Sequence, residues 1–177
     1  MSYNIILEGC DCVGKSSIAE ELMKMNKNFK LHKCSQPRDH DSAKLEYLKI
    51  LVKLYEETLV IYDRAMLGER VYAPVFRSYV PRYMSSLEKL VPHNCYLFLI
   101  TADTKEVYRR FDGKFIRKEQ ITTIKNRFKR HLNASSYPNK YIIDTTNISP
   151  YSAAVTISNI IFHEERRRGM YNESDKL

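Results

Sequence analysis

Eight residues near the start of the chain, Gly9-Cys10-Asp11-Cys12-Val13-Gly14-Lys15-Ser16, restrict what it can fold into more than any other stretch. They spell G-x-x-x-x-G-K-S. Asn4 to Glu8 ahead of them is short and apolar, as a buried strand is, and Ser17 to Leu22 behind them has helical spacing. A polyphosphate has to be wrapped by backbone N–H groups, and glycine at positions 9 and 14 lets the backbone turn tightly enough to do so. A helix starting near Lys15 aims the positive end of its dipole at the anion. Lys15 is then placed to reach the β- and γ-phosphates, and the Ser16 hydroxyl to hold a magnesium ion. A glycine-rich turn without a ligand could share the spacing, but it would not need a strand running into it and a helix running out.

The rest of the chain alternates between the two periods. Ile18, Leu22 and Met25 make an apolar face on the first helix, and Phe29 to Cys34 reads as a second strand closed by Gln36-Pro37. Asp41 or Ser42 caps a helix whose stripe is Leu45, Leu48, Val52 and Tyr55. Thr58 to Tyr62 is a buried strand ending on Asp63-Arg64. Leu67 to Tyr72 gives a helical turn or two that Pro74 stops. Ser85-Ser86-Leu87-Glu88 has the form of a capping box. Cys95 to Thr101 is a strand, Lys105 to Arg110 a helix, and 111–118 a short lid loop holding Gly113. Lys118 to Leu132 is a helix with Ile121, Ile124, Phe128 and Leu132 on one side. Tyr141 to Asp144 is a fifth strand, and Ser149-Pro150 starts a last helix with Ala154, Ile157 and Ile161 inward. A charged tail from Arg166 is expected to fray. Alternating strands and helices imply an α/β domain with a parallel sheet covered on both faces and the ligand at the carboxyl ends of the strands.

At 177 residues the chain fits one domain with a sizeable core. Cys10, Cys12, Cys34 and Cys95 have neither metal spacing nor the density of a disulfide scaffold, which suggests a reducing, cytoplasmic setting; Cys10 and Cys12 are read as filler in the loop ahead of the alternative, a redox switch over the phosphate site, which would need an accessible thiolate. The first apolar segment enters the phosphate loop directly, unlike a signal peptide, and Cys95 to Ile100 is too short to span a bilayer, so no membrane role is expected. The net charge is +8, and 105–130 holds ten Lys or Arg against Glu106, Asp112 and Glu119, a net +7. Such a segment would serve nucleotide phosphates or a nucleic-acid backbone, or be in part a solvated helix face. The five histidines are not spaced as a metal set.

A phosphate loop defines a donor and leaves the acceptor open. A regulatory GTPase would need Asn-Lys-x-Asp, and Asn139-Lys140 runs on into Tyr141-Ile142 instead. Two strands end on aspartate, Asp63 and Asp144; Asp63 is the better magnesium candidate because Arg64 follows it, setting a guanidinium beside the metal for the transferring phosphoryl group.

With Glu8-Gly9-x-Asp11-x-x-Gly14-Lys15-Ser16, Asp63-Arg64 at a strand end, and Leu67-Gly68-Glu69-x-Val71-Tyr72-x-Pro74-x-x-Arg77, the sequence resembles the thymidylate kinase family and the related deoxynucleoside kinases. The likeness extends through Leu99 to Asp103, Arg110 and Ile143 to Asn147, and is strongest to small thymidylate-kinase-like proteins often carried by viruses, which would put the chain in a host cytoplasm. The resemblance implies a three-layer P-loop NTPase fold with a five-stranded parallel sheet in the order 2-3-1-4-5, ATP and Mg2+ as cofactors, a deoxynucleotide acceptor, and a homodimer through packed helices. It also implies roles. Gly9, Cys10, Asp11, Cys12, Val13, Gly14, Lys15, Ser16 and Ser17 would cradle the donor, with Arg110 and Thr145 near its adenine. Asp11 would contact the acceptor sugar, Tyr72 would face it, Arg64 would clamp the phosphates, and Arg38 would meet the acceptor phosphate. Lys15, Asp63, Arg64 and Arg110 would be catalytic, with Arg117 or Lys114 as the lid cation. The family's base-stacking aromatic has no clear counterpart; Tyr47 and Phe76 are the options.

Three acceptors follow. A nucleoside monophosphate, probed first as dTMP or a modified dUMP, is already ionised, needs no general base, and suits the cations Arg38, Arg64, Arg70, Arg110 and Arg117. A nucleoside hydroxyl would want a carboxylate, with Asp63, Glu69 or Glu8 on offer. A polynucleotide, or a hydroxymethylated base within DNA, would use the basic segment, though no helix-turn-helix, zinc finger or stacking platform is evident.

Overall fold

The structure, a computed structural model, describes residues 2–34, 37–113 and 116–169. Five parallel strands, β1 (Asn4–Glu8), β2 (Lys30–Lys33), β3 (Val60–Asp63), β4 (Cys95–Thr101) and β5 (Asn139–Asp144), form one sheet in the order β2-β3-β1-β4-β5. Around it lie α1 (Lys15–Met25), α2 (His40–Glu56), α3 (Met66–Phe76), α4 (Met84–Glu88), α5 (Thr104–Arg110), α6 (Ile121–Asn133) and α7 (Pro150–Arg167), with a 3₁₀ turn at Lys118–Gln120. The three central strands are buried along their whole length, because helices cover both faces of a parallel sheet. Their apolar runs therefore show no alternation. Ile5, Ile6, Ile61, Tyr62, Tyr96 and Phe98 carry the centre of the core.

The expected sheet order is the observed one. Ile121, Ile124, Phe128 and Leu132 are buried as their spacing predicts, and so are Ala154, Ile157 and Ile161. Ser149 caps α7, with Pro150 in its first turn.

Several local expectations are corrected. α2 is capped by Asp39, whose side chain accepts from the Ser42 N–H while the Ser42 hydroxyl accepts from the Asp39 N–H. Its expected inward stripe faces outward: Leu45 is 55% and Tyr55 64% exposed, Leu48 and Val52 are exposed as well, and Ala43, Tyr47, Ile50, Leu51 and Leu54 are buried instead. Met25 of α1 is also largely exposed. Pro74 lies inside α3 and does not end it; the ladder is short of one donor there, and the helix closes with Arg77 N–H on Ala73 O at 2.8 Å. Ser85 and Ser86 lie within α4 rather than capping it, and Glu88 is turned to Arg70 at 2.9 Å. The chain does not fray at Arg166: α7 runs to Arg167, and the Arg168 guanidinium donates to His93 O at 2.7 Å and to Asn139. Gln36 at the end of the second strand, Lys114 of the lid and the tail beyond 169 lie outside the described residues.

Asp39→Ala is expected to cost about 1 kcal/mol in urea unfolding, the loss of an N-cap. Ser85→Ala, with no cap to lose, is expected to leave the midpoint unchanged.

Candidate active site

The loop after β1 is fixed by its glycines. Gly9 has φ +144°, and a Cβ there would lie 2.2 Å from Ile100 O; Gly14, at φ +95°, ends the loop as the residue before α1. Lys15, first in that helix, is buried and donates through Nζ to Gly9 O at 3.0 Å and Cys10 O at 2.8 Å. Burial pushes its pKa down, and the nearby Arg64 adds to this. Both effects work against its positive charge, and an anion brought into the loop would work for it.

Parallel pairing of β1 with β3 sets Leu7 opposite Asp63, so the acid leaves the sheet level with the loop. Ser16 Oγ donates to Asp63 Oδ2 at 2.9 Å, and Asp63 Oδ1 is buried with no partner among the described residues. Two hard oxygen groups side by side, one with spare acceptor capacity, fit magnesium, which keeps several waters and takes other ligands from phosphates. No group of three or more His, Cys, Asp or Glu among the described residues could enclose a metal alone.

Arg64 follows in the left-handed region at φ +73°, its N–H bonded to Leu7 O at 2.9 Å. That turn sends its guanidinium onto the Asp11 carboxylate and over the Tyr72 ring, 5.0 Å from the centroid. The Tyr72 hydroxyl reaches Asp11 Oδ2 at 3.4 Å. Loop, strand end and α3 meet in these three residues. Phe76, 39% exposed, stacks on Tyr72 at 5.9 Å, and Phe128 of α6 meets the same ring edge-on at 5.6 Å. Tyr47 is buried with its hydroxyl on Glu69 at 3.2 Å, so of the two aromatics offered by the sequence only Phe76 presents an open face.

On the far side of the loop, Arg110 donates from Nε to Glu106 Oε1 at 2.7 Å and from Nη2 to Thr145 O at 2.8 Å; the Thr145 hydroxyl donates to Val13 O at 2.9 Å. Arg110, Thr145 and Val13, with Cys12, Gly14, Ser17 and Pro150, line a cavity of about 390 Å³. Cys10 is buried, and burial pushes its thiol up to about 12; the Cys12 thiol is raised for the same first reason. Neither is the low-pKa thiolate that oxidation selects.

Other expected residues stand apart. Arg70 is engaged with buried Glu88, and Glu69 with Tyr47, Arg77 and Tyr79. Arg38 and Arg117 are exposed, and among the described residues no hydrogen bond or ion pair joins either to the loop. The role of Tyr79 carried no sequence signal. The partner of Arg77 did: it lies eight residues after Glu69, about two helical turns.

Glu8 also has a use that its position in the sequence did not reveal. It is fully buried, its Oε1 accepts from the N–H groups of Ala65 at 2.8 Å and Gly68 at 2.9 Å, and burial pushes its pKa up to about 7 against those bonds.

Solved structures share this fold. The YorR protein of Bacillus subtilis, solved in complex with phosphorylated GDP, matches with a TM-score of 0.78 and 25% identity over 92% of this chain and 98% of that one. Thymidylate kinase from Candida albicans matches with a TM-score of 0.68 and 16% identity over 93% of this chain and 92% of its own. Deoxyadenosine kinase from M. mycoides, solved with dCTP, matches with a TM-score of 0.61 and 16% identity over 90% and 99%. No family model and no curated protein matches the chain. Two of these neighbours are nucleotide or nucleoside kinases by name, and the resemblance seen in the sequence is met at the level of the fold.

Glu8 yields a pH test. Between its ordinary 4.5 and about 7 the folded chain keeps a proton that the unfolded chain releases, so its contribution to stability is full below the lower value and lost as pH rises through the upper. Glu8→Gln lacks that loss. Its melting temperature is expected to gain on the parent between about pH 5 and about pH 8; parallel curves would contradict this.

Proposed function

We propose that this chain is an ATP-dependent phosphotransferase acting on a deoxynucleoside monophosphate, with dTMP or a modified dUMP as the first acceptors to test. The observation that carries the reading is the junction of Asp11, Arg64 and Tyr72 beside the Ser16–Asp63 pair. One arm meets a donor triphosphate and the other a sugar and its phosphate.

Lys15 and the N–H groups of residues 9–17 bind the β- and γ-phosphates, and Arg110 with Thr145 borders the donor base. Ser16 and Asp63 would hold Mg2+, which when bound neutralises phosphate charge. Arg64, anchored by Asp11, offers its guanidinium to the equatorial oxygens of the group in flight. The acceptor phosphate oxygen forms a bond to the γ-phosphorus, the bond to the β,γ-bridging oxygen breaks, and ADP leaves. An ionised phosphate needs no proton taken from it. The lid cation would be Arg117 or Lys114, on a segment that meets the loop where Cys12 Sγ donates to Asp112 Oδ1 at 3.7 Å.

A second reading, a deoxynucleoside kinase, is favoured by the unpartnered Asp63 Oδ1, which could accept a proton from a 5′-hydroxyl. The basic segment 105–130 motivates a third, a polynucleotide acceptor: Lys105, Arg109, Lys118, Lys129 and Arg130 are all exposed. One panel separates them. Thymidine, dTMP, dUMP, dCMP, dGMP, 5-hydroxymethyl-dUMP and oligonucleotides are incubated with γ-labelled ATP, and label is expected on a monophosphate. Label on thymidine alone, or on the polymer alone, would move the assignment. Lys15→Ala is expected to abolish transfer with the fold intact, and Arg64→Ala to lower kcat more than tenfold, since it meets charge that develops in transfer; a change in KM alone would make it a ground-state binder.

The homodimer is assigned to the outward face of α2. Leu45, Leu48, Val52 and Tyr55 recur at alternate spacings of three and four, the seam of a helix pair. Antiparallel pairing about a two-fold axis near Ile50 sets Leu45 against Tyr55, Leu48 against Val52 and Lys44 against Glu56, a self-complementary surface. Light scattering on the eluting protein is expected to give twice the chain mass, and Leu48→Asp the single mass. A parent already monomeric at micromolar concentration would refute the contact.

A further inference from the structure

The first turn of α3 has no cap of its own. Ala65 occupies the N-cap position, and its methyl group cannot accept a hydrogen bond. Of the N–H groups left over there, those of Ala65 itself and of Gly68, third in the helix, both donate to Glu8 Oε1. A carboxyl group from the end of β1 thus does what a local serine or aspartate does elsewhere, its oxygen accepting at the positive end of the helix. The preceding residue is tied to the same strand, since Arg64 N–H bonds to Leu7 O at 2.9 Å while holding φ +73°. A left-handed arginine persists only where its surroundings impose it. Leu7 by its backbone and Glu8 by its side chain hold residues 64, 65 and 68.

Gly68 fits this account. Glycine is unfavourable inside a helix, yet a Cβ at 68 would come to 3.0 Å from Glu8 Oε2, an oxygen that is buried and has no partner among the described residues. The helix admits the carboxylate by carrying no side chain at that point.

We propose that Glu8 is a positioning residue for phosphoryl transfer: from the strand that carries the phosphate loop it clamps the start of α3, and so fixes the turn that aims Arg64 at Asp11 and the transferring phosphoryl group. This deepens the kinase reading and rests on it. It also gives Glu8 a task other than general base, because both of its oxygens face the α3 backbone and neither faces the Asp11–Arg64–Tyr72 junction through any hydrogen bond.

The test combines three full-length variants with the parent. Glu8→Ala is expected to lower kcat about a hundredfold, the scale of an ångström's misplacement, with KM for ATP within about threefold because the loop is untouched. Glu8→Gln, which keeps an oxygen for both N–H groups, is expected to retain kcat within about fivefold. Gly68→Ala, pressing on Oε2 from the helix side, is expected to lose about tenfold in kcat. Unchanged kcat in Gly68→Ala, a loss confined to KM, or equal losses in the Gln and Ala variants would overturn the proposal. Should Glu8→Ala not fold, Gly68→Ala decides. A crystal structure of Gly68→Ala gives a readout free of turnover, with Arg64 expected out of hydrogen-bond reach of Asp11; a retained pair would overturn the proposal. A parent that labels no acceptor at all would sink the kinase reading while this last measurement still judged the clamp.

Discussion

The site depends on the register between β1 and its two neighbours. Leu7 lies opposite Asp63 on one side and Phe98 on the other, so the phosphate loop and the Asp63-Arg64 turn leave the sheet at one height, a strand spacing of about 4.8 Å apart. That proximity lets a serine on the first turn of α1 reach an aspartate 47 residues later. A slip of one residue would turn Asp63 to the opposite face of its strand and separate the pair. Burial on both faces opposes such a slip, because the same shift would displace Ile61 and Tyr62 in the core.

Charge is concentrated at this edge of the sheet at some cost. Glu8, Asp11, Lys15 and Asp63 are all buried or nearly so, and Arg64 lies over a tyrosine ring. Buried charges are tolerated when each finds partners, and here almost every one does: Lys15 on loop carbonyls, Arg64 on Asp11, Glu8 on two N–H groups. The two oxygens left over, Asp63 Oδ1 and Glu8 Oε2, differ in kind. The first lies beside a hydroxyl suited to a metal, and the second against a helix glycine. One is spare capacity for a ligand, the other a consequence of packing.

How far the sequence could be read follows the same line. The loop was legible from its paired glycines, the strand Cys95–Thr101 from an unbroken apolar run buried on both faces, and the stripes of α6 and α7 because each has one period and one buried side. On α2 two apolar stripes of helical spacing run side by side, 43/47/50/54 and 45/48/52/55, and period alone does not say which meets the core. Ser85 to Glu88 matched a capping box in letters, but the glutamate had a stronger partner in Arg70, far from it in the chain. Pro74 marked a helix end by local rule, and packing of α3 against α6 carried the helix past it. Of the candidate site, Asp11, Lys15, Ser16, Asp63, Arg64, Tyr72, Arg110 and Thr145 are brought together in pairs or threes. Arg38, Arg70 and Arg117 are not, since a cation's presence in a sequence says nothing about which anion it will meet.

On the proposed reading, donor and acceptor sides differ in how firmly they are built. The donor side rests on backbone: a loop closed by two glycines, N–H groups at the start of α1, and a threonine bonded to the loop carbonyl of Val13. The acceptor side rests on side chains of α3, a helix with glycine and proline in its interior and a cap borrowed from another element. On that reading a change of acceptor asks little of the sheet: substitutions around Tyr72 and Phe76 would reshape the acceptor side and leave the phosphate cradle as it is. The loop motif is common to chains with many acceptors for that reason, and the acceptor has to be read from α3 and the segment that follows it.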